Sequence, residues 1–179
     1  MLVLLNDYHQ NTKHSYLSIR TNPNRVDWNN PPNRFKNYPN TYERISLNSK
    51  NQNSNFLYLI AGITAKKSYP GIEYYLRVNP SAGALYPNEI YFQVRNQEGF
   101  DDGIYHFEVS TSSVVLLKKL ENDEGLESIL DLDYSVDGFI FFISSLYFRS
   151  SWKYKKRAFR YCLLDAGHIL GTMEASSYL

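Results

Sequence analysis

The chain has 179 residues, 43% of them hydrophobic, which suits one domain with a real core. Its 19 lysines and arginines nearly cancel 18 aspartates and glutamates, so at a formal net charge of +1 no overall field favours nucleic acid or an acidic membrane surface. A single cysteine, Cys162, excludes an internal disulfide and a cysteine-based zinc site and fits a reducing compartment.

The opening Met1–Leu5 run lacks a basic flank and is too short for a signal-peptide core, so the expected location is cytoplasmic. The longest apolar block, Phe139 to Phe148, is interrupted by Ser144-Ser145 and falls far below the roughly 20 residues of a membrane-spanning helix. Residues 1–54 read as an extended arm rich in asparagine and proline, with Pro23, Pro31, Pro32 and Pro39. Its aromatics Trp28, Phe35, Tyr38 and Tyr42 predict that it packs over a surface. His9 and His14, five apart, fall on different faces of a helix or strand, so no metal pair is expected there.

Residues 55–179 read as the main domain. Ser54 or Asn55 is expected to cap a short helix carrying Phe56, Leu59, Ile60 and Ile63 on one face, with Gly62 near its end. Ile72 to Val78 reads as a strand. Then comes the stretch Asn79-Pro80-Ser81-Ala82-Gly83-Ala84-Leu85-Tyr86-Pro87, where two prolines fix φ at the ends and Gly83 lets a flat group approach the main chain. Taken alone it is either a tight turn or a ligand cradle. Glu89 to Arg95 alternates, with Ile90, Phe92 and Val94 on one face, and Ile104–Val109 and Val114–Leu120 complete a short antiparallel meander. A helix is predicted over Asp123–Leu132, with Leu126, Ile129 and Leu130 inward, then a strand over Gly138–Leu146 buried on both faces.

From Trp152 the period turns helical to the end of the chain, with Phe159, Cys162, Leu163, Ala166, Ile169, Leu170 and Met173 on the expected buried face. Gly167, Gly171 and Ala175 form a second stripe that suits helix packing or, less readily, close approach of a ligand. Arg157, Arg160 and His168 share a third face, where arginines are usually solvated. Nothing after Glu174 signals a helix stop, which reads as a domain incomplete at its C-terminus.

Five groups of residues, in order and at matching spacing, carry a resemblance. They are Tyr8-His9 with Thr12-Lys13-His14; Phe35-Lys36 with Tyr38-Pro39; Pro80 to Pro87 with Glu89 and Tyr91; Gly103-Ile104-Tyr105-His106; and Trp152-Lys153-Tyr154 with Arg157, Arg160-Tyr161 and Leu164-Asp165-Ala166-Gly167-His168. The chain resembles the FMN-dependent nitroreductase fold, and within it the SagB or ThcOx type of dehydrogenase that oxidises azoline rings in ribosomally made peptides. The resemblance implies an α+β fold, mainly antiparallel sheet packed with helices, and FMN held at a homodimer interface. It implies cofactor binding by Pro80, Ser81, Ala82, Gly83 and Ala84, with Arg157 and Arg160 as further candidates, and proton handling by Lys153 and Tyr154. Ala84 stands where more familiar nitroreductases have an asparagine, so its contact would be made by main chain.

The function so implied is hydride transfer between flavin and a small-molecule or peptide-heterocycle substrate, heterocyclic or nitroaromatic-like, the cofactor carrying the electron chemistry. The arginine-rich phosphate motif of the family has only Tyr42-Glu43-Arg44-Ile45-Ser46 as a counterpart, and a phosphate dianion without charged donors is held weakly. The alternative is therefore a truncated or degenerate, non-catalytic half that dimerises with or scaffolds a complete copy.

Overall fold

The computed structural model describes residues 2–23, 25–47, 51–121 and 124–179. Twelve principal elements follow in chain order: α1 (Leu2–Thr12), α2 (Tyr16–Arg20), β1 (Arg44–Ser46), α3 (Gln52–Ala61), β2 (Ile63–Tyr69), β3 (Ile72–Arg77), β4 (Asn88–Arg95), β5 (Gly103–Glu108), β6 (Ser113–Lys119), β7 (Gly138–Ser145), α4 (Tyr147–Tyr154) and α5 (Ala158–Ser177). Five strands form one antiparallel sheet in the order β1-β6-β5-β4-β7, and β2 pairs with β3 as a separate hairpin. The expected α+β architecture, antiparallel sheet packed by helices, is what forms.

The period-2 pattern of β4 explains the core. Ile90, Phe92 and Val94 point to one face, where Phe92 is opposite Tyr105 on β5 and Phe141 on β7. With Phe107, Val114 and Leu116 they meet Leu57 and Ile60 of α3 and Ile169 and Met173 of α5. Each such side chain contributes roughly 1.5–3 kcal/mol on burial. The opposite face of β4 and β5 is also buried, yet it carries Glu89, Gln93, Arg95, His106 and Glu108. Buried polar groups need partners. Arg149 and His106 meet Glu89, Arg44 and the Tyr38 amide meet Glu108, and Glu127 meets Gln93 and Arg95.

Several expectations change. Asn51, not Ser54 or Asn55, caps α3, its side chain accepting from the amides of Asn53 and Ser54, so the buried face holds Leu57 and Ala61 besides Ile60. Over Asp123–Leu132 the described residues form only a 3-10 turn, Glu127–Leu130, with Ile129 72% exposed and Leu130 45% exposed; Asp123 lies outside the described residues. That turn exists to deliver Glu127 to Gln93 and Arg95, a pull stronger than its apolar period. Strand β7 is an edge strand of intermediate burial, not buried on both faces. The C-terminal helical run starts at Tyr147 and breaks at Lys155, whose φ of 50° and ψ of −128° end α4 before α5 begins. On α5 the buried face is Ala158, Cys162, Asp165, Ile169 and Met173, whereas Phe159, Leu163 and Leu170 are about half exposed or more. Gly167 and Gly171 face open space.

Within 1–54, the aromatics do lie on a surface: Trp28 meets Trp152 edge-on at 5.2 Å, Phe35 meets Tyr75 at 5.0 Å and Tyr38 meets His106 at 5.2 Å. Among the described residues no helix is long and apolar enough to cross a membrane.

Candidate functional site

The loop between β3 and β4 is drawn tight at its base, where the Arg77 amide donates to the Tyr86 hydroxyl at 3.0 Å. Within it Gly83 adopts φ 65° and ψ 19°, and Ala84 and Tyr86 follow at φ 53° and 46°. Non-glycine residues in this left-handed region cost roughly 1–2 kcal/mol each, so something must hold the loop. That something is Asp165. One carboxylate oxygen accepts from the Ser81 hydroxyl at 2.5 Å and the other from the Ala82 amide at 3.2 Å, while Ser81 Oγ accepts from the Tyr86 amide at 2.9 Å. Asp165 is only 3% exposed, and its burial pushes its acid above the ordinary carboxylate range despite the two donors.

From the other side come Lys153 and Tyr154 in the last turn of α4. A Cβ added at Gly83 would lie 2.6 Å from the Tyr154 hydroxyl and 2.9 Å from Lys153 Nζ, so only glycine admits both tips. Tyr154 packs against Tyr161 at 4.2 Å between ring centres, and burial, with the charges of Tyr161 and Asp165, raises its phenol so that it stays neutral. The helix break at Lys155 aims the pair: Lys155 turns back to donate to the Trp152 carbonyl, and Trp152 Nε1 is fixed by the Asp27 carbonyl. Gly83, Ala84, Leu85 and Lys153 open on a cavity of about 250 Å³ whose other walls include Trp28, Pro31, Pro32, Arg34, Tyr74 and Trp152.

The nine residues singled out in the sequence thus part company. Gly83, Ala84, Lys153 and Tyr154 converge; Ser81 and Ala82 turn inward to Asp165; Pro80 stands exposed at the loop's start. Arg157 and Arg160 are spent elsewhere, on α1: Arg157 donates to the Thr12 carbonyl and to Tyr161 at 3.2 Å, and Arg160 donates to Thr12 Oγ1 at 2.9 Å and lies 3.5 Å from His9 Nδ1. The positive charges on the cavity lining are instead Arg34 and Lys153. Asp165 was missed, although one acid inside the apolar stripe Cys162, Ile169, Met173 is a signal in its own right.

A crystal structure of a provisionally named nitroreductase from Anabaena variabilis superposes over 96% of this chain with a TM-score of 0.77 and 29% identity. The chain has the nitroreductase fold. A provisionally named nitroreductase of Methanocaldococcus jannaschii is 27% identical over 118 residues, 65% of this chain. The nitroreductase-like chain spans 56% of that archaeal protein and 37% of the cyanobacterial one. A more distant likeness of fold, TM-score 0.53 at 16% identity, covers 98% of this chain and 77% of a chain in the Escherichia coli microcin synthetase McbBCD complex with truncated pro-MccB17 bound. No family model matches.

The residues present fit the ring end of a flavin. The cavity wall offers the tight turn at Gly83 to Leu85, the aromatic residues Trp28, Tyr74 and Trp152, and a single ammonium, Lys153. The donor set for a phosphate is thinner, with Arg34 and Lys153 as the two cations among the lining residues.

Proposed function

We propose that this chain is the flavin-ring-binding part of an FMN-dependent oxidoreductase that moves a hydride between flavin and a small heterocyclic or nitroaromatic-like substrate. The observation that carries the reading is the convergence of Lys153 and Tyr154 on Gly83, tip to backbone. FMN, when bound, would supply the two-electron chemistry. Gly83, Ala84 and Leu85 would hold the ring by main chain and exclude water from that edge. Tyr154, held neutral by burial, keeps a hydroxyl proton available there, and Lys153 Nζ sits beside it as a donor to a substrate atom. The lysine-tyrosine pair is also what supports the narrower SagB-type reading, with an azoline ring in a peptide as substrate.

The test is spectroscopic first. Purified protein incubated with FMN should show bound-flavin bands, Lys153→Met should retain them and lose turnover at least 100-fold, and Gly83→Val should abolish them. Absence of flavin binding by the unaltered chain would sink the proposal.

A second reading, a non-catalytic half that dimerises with or scaffolds a complete copy, draws on a feature of α5 that is equally compatible with the first. Phe159, Leu163, Leu164 and Leu170 are 49 to 59% exposed beside the bare Gly167 and Gly171, a surface that suits a second helix. A homodimer through α5 serves either reading. Light scattering after size exclusion separates them from a monomer, and Leu170→Glu should shift a dimer to monomer.

A further inference from the structure

A second hollow, of about 620 Å³, shares the Pro31–Asn33 wall with the Gly83 cavity and extends over Phe35, Lys36, Phe148 and Arg149. Its charge is one-sided: two cations line it and no carboxylate does. Arg149 is already answered, its Nη1 lying 2.5 Å from Glu89 and its Nε donating to the Asn33 carbonyl. Lys36 is not. Its Nζ donates to the Tyr91 hydroxyl at 2.5 Å and lies over the rings of Tyr38 and Tyr91 at 5.3 and 5.1 Å, and among the described residues it forms no ion pair. An ammonium has three donors, and with Tyr91 and Tyr38 answering two of them one is left over. The two phenols keep it charged: burial pulls its pKa down, but the bonds to Tyr91 and Tyr38 outweigh this and leave it raised. The lining also holds Pro31, Pro32, Phe35, Leu146 and Phe148 beside Asn33 and Asn37, and Phe148 is 61% exposed.

The geometry points to a binding site for a carboxylate carried on an aromatic group, the carboxylate paired with Lys36 and the ring laid against Phe148 and Pro32. A carboxylate completes the ammonium's bonding with a charge-assisted hydrogen bond, whereas an amide or alcohol offers only a neutral one. The assignment shares only Pro32 with the Gly83 cavity and holds with or without flavin. The occupant could be a free aromatic acid or the C-terminal residue of a peptide, two sources of one chemistry.

The experiment is a nuclear magnetic resonance titration of the full chain, without flavin, using 3-phenylpropanoate, its amide, and the dipeptide Gly-Phe with a free C-terminus. A saturable shift is expected with at least one acid, the amide binding at least tenfold more weakly. Lys36→Met should remove the acid's advantage and Lys36→Arg should retain most of it. Tighter binding of 3-phenylpropanoate identifies a free acid as the source, and tighter binding of the dipeptide a peptide tail. Equal binding of acid and amide, no binding of either acid, or a Lys36→Met protein of unaltered affinity overturns the assignment.

Discussion

Asp165 holds its loop by two acceptor atoms and does so from a helix 84 residues away in sequence from Ser81. Removing it leaves the Ser81 hydroxyl proton and the Ala82 amide without acceptors and unlatches two left-handed non-glycine residues, Ala84 and Tyr86, so Asp165→Ala should lose about 3 kcal/mol in denaturant unfolding. Its titration has a definite sign. Because the folded state raises the acid above its usual range, the folded protein binds that proton more tightly than the unfolded chain does. Its contribution is therefore complete below the ordinary carboxylate range and is lost as pH rises through the raised pKa. Asp165→Asn should remove this component, so stability curves of the two proteins should separate progressively on raising pH from the acid side and run parallel above that range. Gly83→Val combines about 1–2 kcal/mol of backbone strain with a clash against Tyr154, and should cost more stability than Gly71→Val, where nothing lies within 4 Å of the added Cβ.

At the level of elements, Asn51 caps α3 with one oxygen, and Asn51→Ala should cost about 1 kcal/mol, read by thermal or denaturant unfolding. Helix α1 is attached to the rest through Thr12, Tyr8 and His9 by Arg157 and Arg160. Arg160→Met should therefore speed amide exchange in α1 while leaving FMN affinity within twofold; a large loss of affinity would return Arg160 to the cofactor. The strands of the meander were legible because their apolar residues alternate, and the Gly83 loop because its residue types are unusual. Strand β2 was invisible: six of its seven residues are exposed, so Ile63–Tyr69 has no alternation to read. Asn51 was overlooked as a cap because the apolar period starts five residues later, at Phe56. The buried face of α5 was misread because Leu163 and Leu170 fit the helical period as well as Cys162 and Ile169 do, and period alone cannot say which side meets the sheet. The convergence on Gly83 was half legible. The family resemblance named Lys153 and Tyr154, but the break at Lys155 that aims them is a backbone event without a glycine or proline to announce it.

Across the whole molecule, the sheet has an oily face and a buried ionic one, and the two respond to different stresses. Phe92→Ala, at full burial between Tyr105 and Phe141, should cost about 3–5 kcal/mol at any pH. The ionic face is sensitive to acid. Burial pushes Glu127 up, but the Gln93 side chain, backbone amides and Arg95 prevail and hold it at about 2, against an ordinary 4.5. A depressed acid gives stability that is present above its unfolded pKa and lost as pH falls from 4.5 towards 2. Glu127→Gln should accordingly be less stable than the unaltered protein at neutral pH, with the gap closing through that window.

The placement of the Gly83 loop between two unlike supports has a mechanical consequence. On its far side β4 is hydrogen-bonded on both edges, between β5 and β7, and on its near side β3 belongs to a two-stranded hairpin whose other strand is bathed in solvent. Opening free energies should then be lower on the hairpin side of the loop than on the sheet side. A fluctuation that peels the hairpin away would swing the loop about a fixed end at Asn88, with Asp165 as the latch that resists it. Trypsin should cut first after Lys66 or Lys67, long before any cleavage near Arg95, and a ligand that bridges Tyr74 to Lys153 should slow that first cut.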